Sequence, residues 1–377
     1  MQAVSAGLLA GFVGFASSFA VVLQGLVAVG ANPAQAASGL MALSVAMGLA
    51  GILLSARLRL PISVAWSTPG AALLAGTAMP AGGFAEAVGA FLICGVLLTA
   101  AGLWKPLGRA VAAIPAPLAN AMLAGLLFTL CLAPVRAVAE QPVAGLAIVL
   151  AWAVVARINR LLAVPAAVAV AIGVIAASAP LPTGGWQPQL ELVVPSFSLA
   201  AVTGMALPLF IVTMASQNIP GLAVLSVNGY RPDPGPLFAT TGVFSVVAAP
   251  FGALAVNLAA ITAALCAGEG AGPDPARRWV AAVVAGATYI VFGLLAGVVT
   301  AFVAAAPPVL IQAVAGLALL GPLGGAMLGA VQAPQAREAA LVCFVVTASG
   351  LSFMGIGGAF WGLLAGGAMM ILARWRA

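Results

Sequence analysis

Pro61-Ile62-Ser63-Val64-Ala65-Trp66-Ser67-Thr68-Pro69-Gly70 is the stretch on which the reading of the whole chain turns. Ile62 to Trp66 reads as a short extended run inside an otherwise helical, apolar sequence. A helix start follows, with Ser67 or Thr68 as N-cap and Pro69 at the first helical position. A helix that begins partway across a bilayer points free backbone N–H groups and the positive end of its dipole into the protein interior. Such an end attracts an anion. Pro250-Phe251-Gly252-Ala253-Leu254-Ala255-Val256-Asn257-Leu258 has the same design. The expectation is two half-helices that face each other and hold a substrate.

The surroundings of these stretches set the class. The 377 residues are 64% hydrophobic and 5% charged, with mean hydropathy +1.22. Soluble domains carry about 25% charged residues, so the chain is expected to be a polytopic membrane protein of α-helices. The net charge of +6 is then read as loop charge at the cytoplasmic face and not as a nucleic-acid footprint. Cys94, Cys131, Cys266 and Cys343 lie in apolar runs without ligand spacing and read as small buried hydrophobes. The chain has no His, which excludes imidazole ligation and imidazole proton relays. No metal and no cofactor is expected. The first apolar run lacks a basic leader and reads as a retained helix, not a cleaved signal.

About fourteen membrane segments are expected. Segments 1 to 7 cover about 5–29, 34–56, 61–79, 84–103, 116–133, 142–156 and 161–179. A polar connection from Pro180 to Pro195 separates the halves. Segments 8 to 14 cover about 198–227, 235–249, 250–267, 279–303, 307–331, 339–354 and 357–373. Gly321-Pro322 is expected to interrupt segment 12. With both termini cytoplasmic, the even-numbered loops and the C-terminal tail hold Arg57, Arg59, Lys105, Arg109, Arg157, Arg160, Arg231, Arg277, Arg278, Arg337, Arg374 and Arg376. Of the 13 basic residues only Arg136 falls on the other side, the pattern of a protein with its positive loops inside.

The halves also resemble each other. Ala16-Ser17-Ser18 matches Ala215-Ser216-Gln217, and Gly30 with Pro33 matches Gly229 with Pro232 at the same offset. Pro61 matches Pro250, which sets Thr68 opposite Asn257. Pro117 with Ala124-Gly125-Leu126 matches Pro308 with Ala315-Gly316-Leu317. Two repeats of seven segments, 1–180 and 198–377, must be inverted relative to each other. Gly7 and Gly11, Gly321, Gly325 and Gly329, and Gly358, Gly362 and Gly366 have small-xxx-small spacing and are read as helix-packing positions.

No acidic residue falls in mid-span on this map. Glu86, Glu140, Glu191, Asp233, Glu269, Asp274 and Glu338 lie at span ends or in loops. Without a nucleophile–base pair or a metal cluster, hydrolytic and metal-dependent chemistry is poorly supported and the chain is not expected to be an enzyme. The mid-membrane polar residues are neutral: Ser17, Ser18, Gln24, Ser67, Thr68, Thr213, Ser216, Gln217, Asn218 and Asn257. Gln217-Asn218 precedes Ile219-Pro220-Gly221, which suggests local unwinding beside a cavity. Neutral donors at helix N-termini suit a monovalent anion such as a carboxylate. Phe12, Phe15, Phe19, Trp66, Phe210, Met214 and Phe251 offer an apolar slot for a planar ring.

Trp66-Ser67-Thr68-Pro69-Gly70-Ala71, Met214-Ala215-Ser216-Gln217-Asn218-Ile219-Pro220-Gly221 and Pro250-Phe251-Gly252 with Asn257 resemble the benzoate/proton symporter (BenE-type) family. The resemblance runs over nearly the whole chain, and Ser216 to Gly221 is its most specific part. The layout is more distantly similar to nucleobase permeases and sulfate-type anion transporters. That resemblance implies a core domain, about 5–103 and 198–303, and a gate domain, about 116–179 and 307–373. It also implies a substrate held between segments 3 and 10, near segments 1 and 8. Dimers are frequent on this scaffold. Proton-coupled nucleobase relatives carry Glu on segments 8 and 10, where this chain has Gln217, Asn218 and Asn257.

The expected function is a secondary transporter of an aromatic carboxylate, benzoate first, across the inner membrane together with protons. Expected substrate contacts are Ser17, Ser18, Trp66, Ser67, Thr68, Met214, Gln217, Asn218, Phe251 and Asn257. For the proton, Glu86 or another edge carboxylate, a proton that rides on the substrate acid, and no coupling at all stay open. A transporter or exchanger of another small monoanion, and an anion channel on the same scaffold, stay open as rivals.

Overall fold

A computed structural model of the chain describes residues 1–104, 106, 115–178, 189–259, 261–353 and 356–375. The chain is mostly helical. Segment 1 is two helices, α1 (Gln2–Ala16) and α2 (Phe19–Ala28), separated at Ser17-Ser18. α3 (Pro33–Leu58) opens on a capping box. The Gln35 N–H donates to Asn32 Oδ1 at 2.8 Å and the Asn32 N–H donates to Gln35 Oε1 at 3.1 Å. The opening stretch becomes strand β1 (Val64–Trp66) and the half-helix α4 (Thr68–Ala75). α5 (Phe84–Leu103), α6 (Ala116–Cys131), a short α7 (Ala133–Glu140), α8 (Pro142–Ile158) and α9 (Ala163–Ser178) complete the first half.

The second half begins with α10 (Leu199–Val227), which contains two π turns, Val202–Ala206 and Met214–Asn218. Pro208 and Pro220 follow these turns. A proline lacks the N–H and clashes with the carbonyl four residues back; here those carbonyls belong to Gly204 and Ser216, and the wider turn makes room. α11 (Pro234–Ala248) leads into strand β2 (Val256–Leu258) and α12 (Ile261–Ala267). Then come α13 (Trp279–Leu294), α14 (Ala296–Ala305), α15 (Pro308–Val331), α16 (Arg337–Ala348), a small hairpin β3 (Ser352–Phe353) and β4 (Ile356–Gly357), and α17 (Gly358–Trp375). Among the described residues, 8 helical stretches are long and apolar enough to cross a membrane, and α8, α9, α14 and α17 are shorter apolar helices.

The inverted relation of the halves is visible in how they interlock. β1 pairs antiparallel with β2, Val64 against Leu258 and Trp66 against Val256, with Ala65 and Asn257 at the centre. The second segment of each half lies along the fourth of the other: α3 packs on α13, and α11 packs on α5. Both crossings are close backbone approaches. A Cβ on Gly48 would meet the Gly286 carbonyl at 2.5 Å, and one on Gly102 would meet the Gly235 carbonyl at 2.6 Å. α6 packs along α15, and with α7–α9, α16 and α17 these helices make a bundle beside the one formed by the broken elements.

Several expectations are corrected. α15 runs unbroken through Gly321-Pro322, because a membrane helix tolerates one missing bond when the freed carbonyl is buried or faces a cavity. Segment 13 stops at Ala348, before the β3–β4 hairpin. The second half-helix starts at Ile261, after the strand, and not near Pro250. Asn257 therefore lies opposite Ala65 rather than Thr68. The local reason is Gly252, whose φ of +85° turns the chain out of the 3-10 turn Ala249–Phe251 and adds residues before β2. Lys105, Arg109, Arg376 and the connection from Pro180 to Pro188 lie outside the described residues.

Candidate functional site

The polar residues of the broken elements surround a cavity of about 480 Å³, inside the roughly 300–1,000 Å³ typical of small-molecule sites. One wall comes from the α1–α2 break (Ser17, Ser18), from β1–α4 (Trp66, Thr68, Pro69), from the π turn of α10 (Ser216, Gln217) and from Thr262 of α12. The facing wall comes from α6 (Asn120, Leu123, Leu127) and α15 (Leu319, Gly321, Pro322). No charged side chain is among the described residues lining it.

Local chemistry fixes the first wall. Ser67 is the N-cap of α4: its Oγ accepts from the Gly70 N–H at 3.1 Å and from the Thr213 hydroxyl at 2.9 Å. Thr68 is then the first helical residue and Pro69 the second, one position later than the sequence expectation. The Trp66 indole N–H donates to Ser18 Oγ at 2.8 Å, and the Ser18 hydroxyl donates to the Gly14 carbonyl at 3.2 Å. Phe15 and Tyr289 flank the Trp66 ring at centroid distances of 5.4 and 6.5 Å. The indole is thus a fixed apolar wall. The Thr262 and Ser63 hydroxyls share a hydrogen bond of 2.7 Å. Thr68, Ser216, Gln217 and Asn120 are half-buried and line the cavity. Among the described residues none of their side chains has a hydrogen-bond partner within the protein.

Of the ten expected contacts, Ser17, Ser18, Trp66, Thr68 and Gln217 line this cavity. The other five stand elsewhere. Ser67, Asn218 and Asn257 are fully buried behind the wall. Asn218 Oδ1 accepts from the Leu258 N–H at 2.8 Å, and its amide donates to the Met214 sulfur at 3.2 Å. Asn257, with its amide turned to suit its neighbours, accepts from the Ser67 N–H at 2.8 Å and donates to the Leu258 carbonyl at 2.8 Å. These three side chains, with Met214, tie α10, β2 and α4 together. The Phe251 ring lies apart, in a groove with Met41, Phe244 and Leu294. Glu86, in the first turn of α5, accepts from the Ser198 hydroxyl at 3.1 Å and does not line the cavity. Phe12, Phe15 and Phe19 line a separate, wholly apolar cavity of about 400 Å³.

Sequence reasoning overlooked Asn120, Thr262 and the cavity role of Gly321, Pro322 and Gly325. An isolated amide in the apolar run Pro117–Cys131 was the available signal for Asn120. Spacing alone puts Gly321 and Gly325 among the helix-packing positions, and the structure corrects this. A Cβ on Gly325 would meet nothing within 4 Å, and one on Gly321 only the Arg160 guanidinium at 4.0 Å, so these glycines widen the cavity. Gly7 and Gly11 do pack, against α13.

Comparisons with known proteins bear on the family and the fold. The chain is 40% identical over 370 residues to inner membrane protein YdcO of Escherichia coli (strain K12), covering 97% of this chain and 94% of that one. It is 36% identical over 176 residues to the benzoate membrane transport protein of Acinetobacter baylyi, covering 47% of this chain and 45% of that one. Among solved structures, the transmembrane domain of the cyanobacterial bicarbonate transporter BicA superposes with TM-score 0.65 at 16% identity, over 97% of both chains. SLC26A9 superposes with TM-score 0.66 at 14% identity, over 98% of this chain and 65% of that one. These last two establish the fold. The family model described as benzoate membrane transport protein (BenE) matches residues 1–372, and the chain belongs to that family of membrane transporters.

Proposed function

We propose that this protein is a secondary active transporter that carries benzoate, an aromatic carboxylate, across the inner membrane together with a proton. The observation that carries the reading is the set of unpartnered neutral side chains, Thr68, Ser216 and Gln217, around the start of α4 and beside the fixed Trp66 ring. These groups line the cavity free to bond a ligand, and a carboxylate satisfies them while the positive end of the α4 dipole offsets its charge. Trp66, Leu123, Leu127 and Leu319 then hold the ring. The broken elements form a core domain and α6–α9 with α15–α17 a gate domain, and the cavity between them opens to each side in turn. Both termini face the cytoplasm, in line with the basic loops. The substrate is seated as the carboxylate and takes its proton within the closed site, because the described lining offers no carboxylate to hold one and Glu86 is held by Ser198 outside it.

Uptake of labelled benzoate into proteoliposomes tests this directly. Uptake stimulated by an inward proton gradient is expected. Uptake indifferent to the gradient would sink the coupling, and no uptake would sink the substrate. Competition by other monoanions in preference to aromatic acids would favour the rival substrate class.

A further inference from the structure

We propose that Asn120 is the gate domain's own contact to the substrate and that its amide couples occupancy of the site to closure. The inference rests on the carboxylate reading above. Asn120 is on α6, across the cavity from Thr68 and Gln217. Every other described residue that α6 and α15 give to the cavity is apolar, among them Leu123, Leu127, Leu319 and Pro322. Nothing in the described protein bonds the Asn120 side chain. A polar side chain on the lining of a cavity is free to be met by water while the site is empty and must be met by the ligand that displaces that water. The other side of the cavity supplies only neutral donors and hydroxyls, so a seated carboxylate is the strongest acceptor in reach.

The amide is also held in place. On α15, a Cβ at Gly329 would come within 2.5 Å of Asn120 Nδ2. The absent side chain at Gly329 is what seats the amide between the two gate helices. An amide fixed on the gate and a carboxylate fixed on the core can bond only when the two domains approach. The empty transporter lacks that bond and its closure is disfavoured; the loaded one gains it.

The test separates binding from transport. Benzoate affinity is measured by titration of the full-length protein in detergent, through Trp fluorescence, and exchange of labelled benzoate is measured in proteoliposomes. Asn120→Leu, close in size to the wild type, is expected to keep the affinity within about threefold and to lower the exchange rate about tenfold, the loss of one hydrogen bond. Gly329→Ala keeps the amide but displaces it, and should slow exchange in the same direction with affinity unchanged. It serves as the second variant where Asn120→Leu folds poorly. Exchange at wild-type rates in both variants overturns the proposal. An equal loss of affinity and rate also overturns it, because Asn120 would then belong to the resting site. Gln217→Ala distinguishes the parent reading: if it leaves benzoate affinity unchanged, the carboxylate site itself is misplaced. If it weakens binding while both gate variants exchange normally, only the role of Asn120 falls.

Discussion

The two crossover elements, β1–α4 and β2–α12, occupy equivalent places in the two halves and have diverged in what they do. The first turns its side chains to the cavity: Trp66, Thr68 and Pro69 all line it, and its cap is a single serine. Among its described residues the second gives the cavity Ala259 and Thr262, and its asparagine turns inward. Asn257 spends its amide on the backbone of Ser67 and Leu258. Thr262 is bonded to Ser63. The C-terminal end of α12 is clamped by Arg278, whose guanidinium donates to the Ala267 and Gly272 carbonyls, each at 2.8 Å. Arg278 is only 7% exposed, and a cation there suits the negative end of a helix dipole. Of the two crossovers, the first gives more of its side chains to the cavity and the second more of them to the frame. A repeated scaffold thus yields an asymmetric site.

The division of labour makes graded predictions. Arg278→Met should cost about 3 kcal/mol, since two charge-assisted bonds go and two carbonyls lose their donor. The expected readout is a marked fall in the apparent Tm of the detergent-solubilised protein, and an unchanged Tm would deny α12 its clamp. Asn257→Ala should cost about 1–3 kcal/mol of stability for the same reason on a neutral scale. This replaces the expectation from sequence alone, in which Asn257 touches substrate. Gln217→Ala should leave the Tm where it is and raise the benzoate Kd about tenfold; a fall in Tm with unchanged Kd would move Gln217 from the ligand side to the frame. Thr68→Val should have the smallest effect, a rise in Kd of about threefold, with the α4 start kept by Ser67.

What was legible in the sequence follows from the range of the forces involved. The start of α4 could be read because a cap, a proline and the dipole act within one turn. The distortion in α10 could be read because Pro220 imposes it locally. The place of Asn257 could not, since it depends on strand register across the two halves, and Gly252 shifts that register by conformation rather than by composition. Asn120 was hidden for a similar reason: its meaning lies in what faces it from the other bundle. Gly321-Pro322 looks like a break by local rules, yet α15 continues, because the carbonyl freed by one missing hydrogen bond is tolerated beside a cavity.

The uncharged lining has an electrical consequence. If no side chain of the site carries charge, the moving unit bears the charge of its cargo alone. A lone carboxylate drawn inward against an inside-negative potential is opposed by about 2.3 kcal/mol per 100 mV, enough to cancel a concentration gradient of about fiftyfold. Pairing it with one proton removes that work and leaves the pH difference as the drive. A neutral cavity therefore makes the expected cycle electrically silent: in proteoliposomes, benzoate should move with acidification of the lumen and no current, and a current carried with benzoate would show that the anion crosses alone.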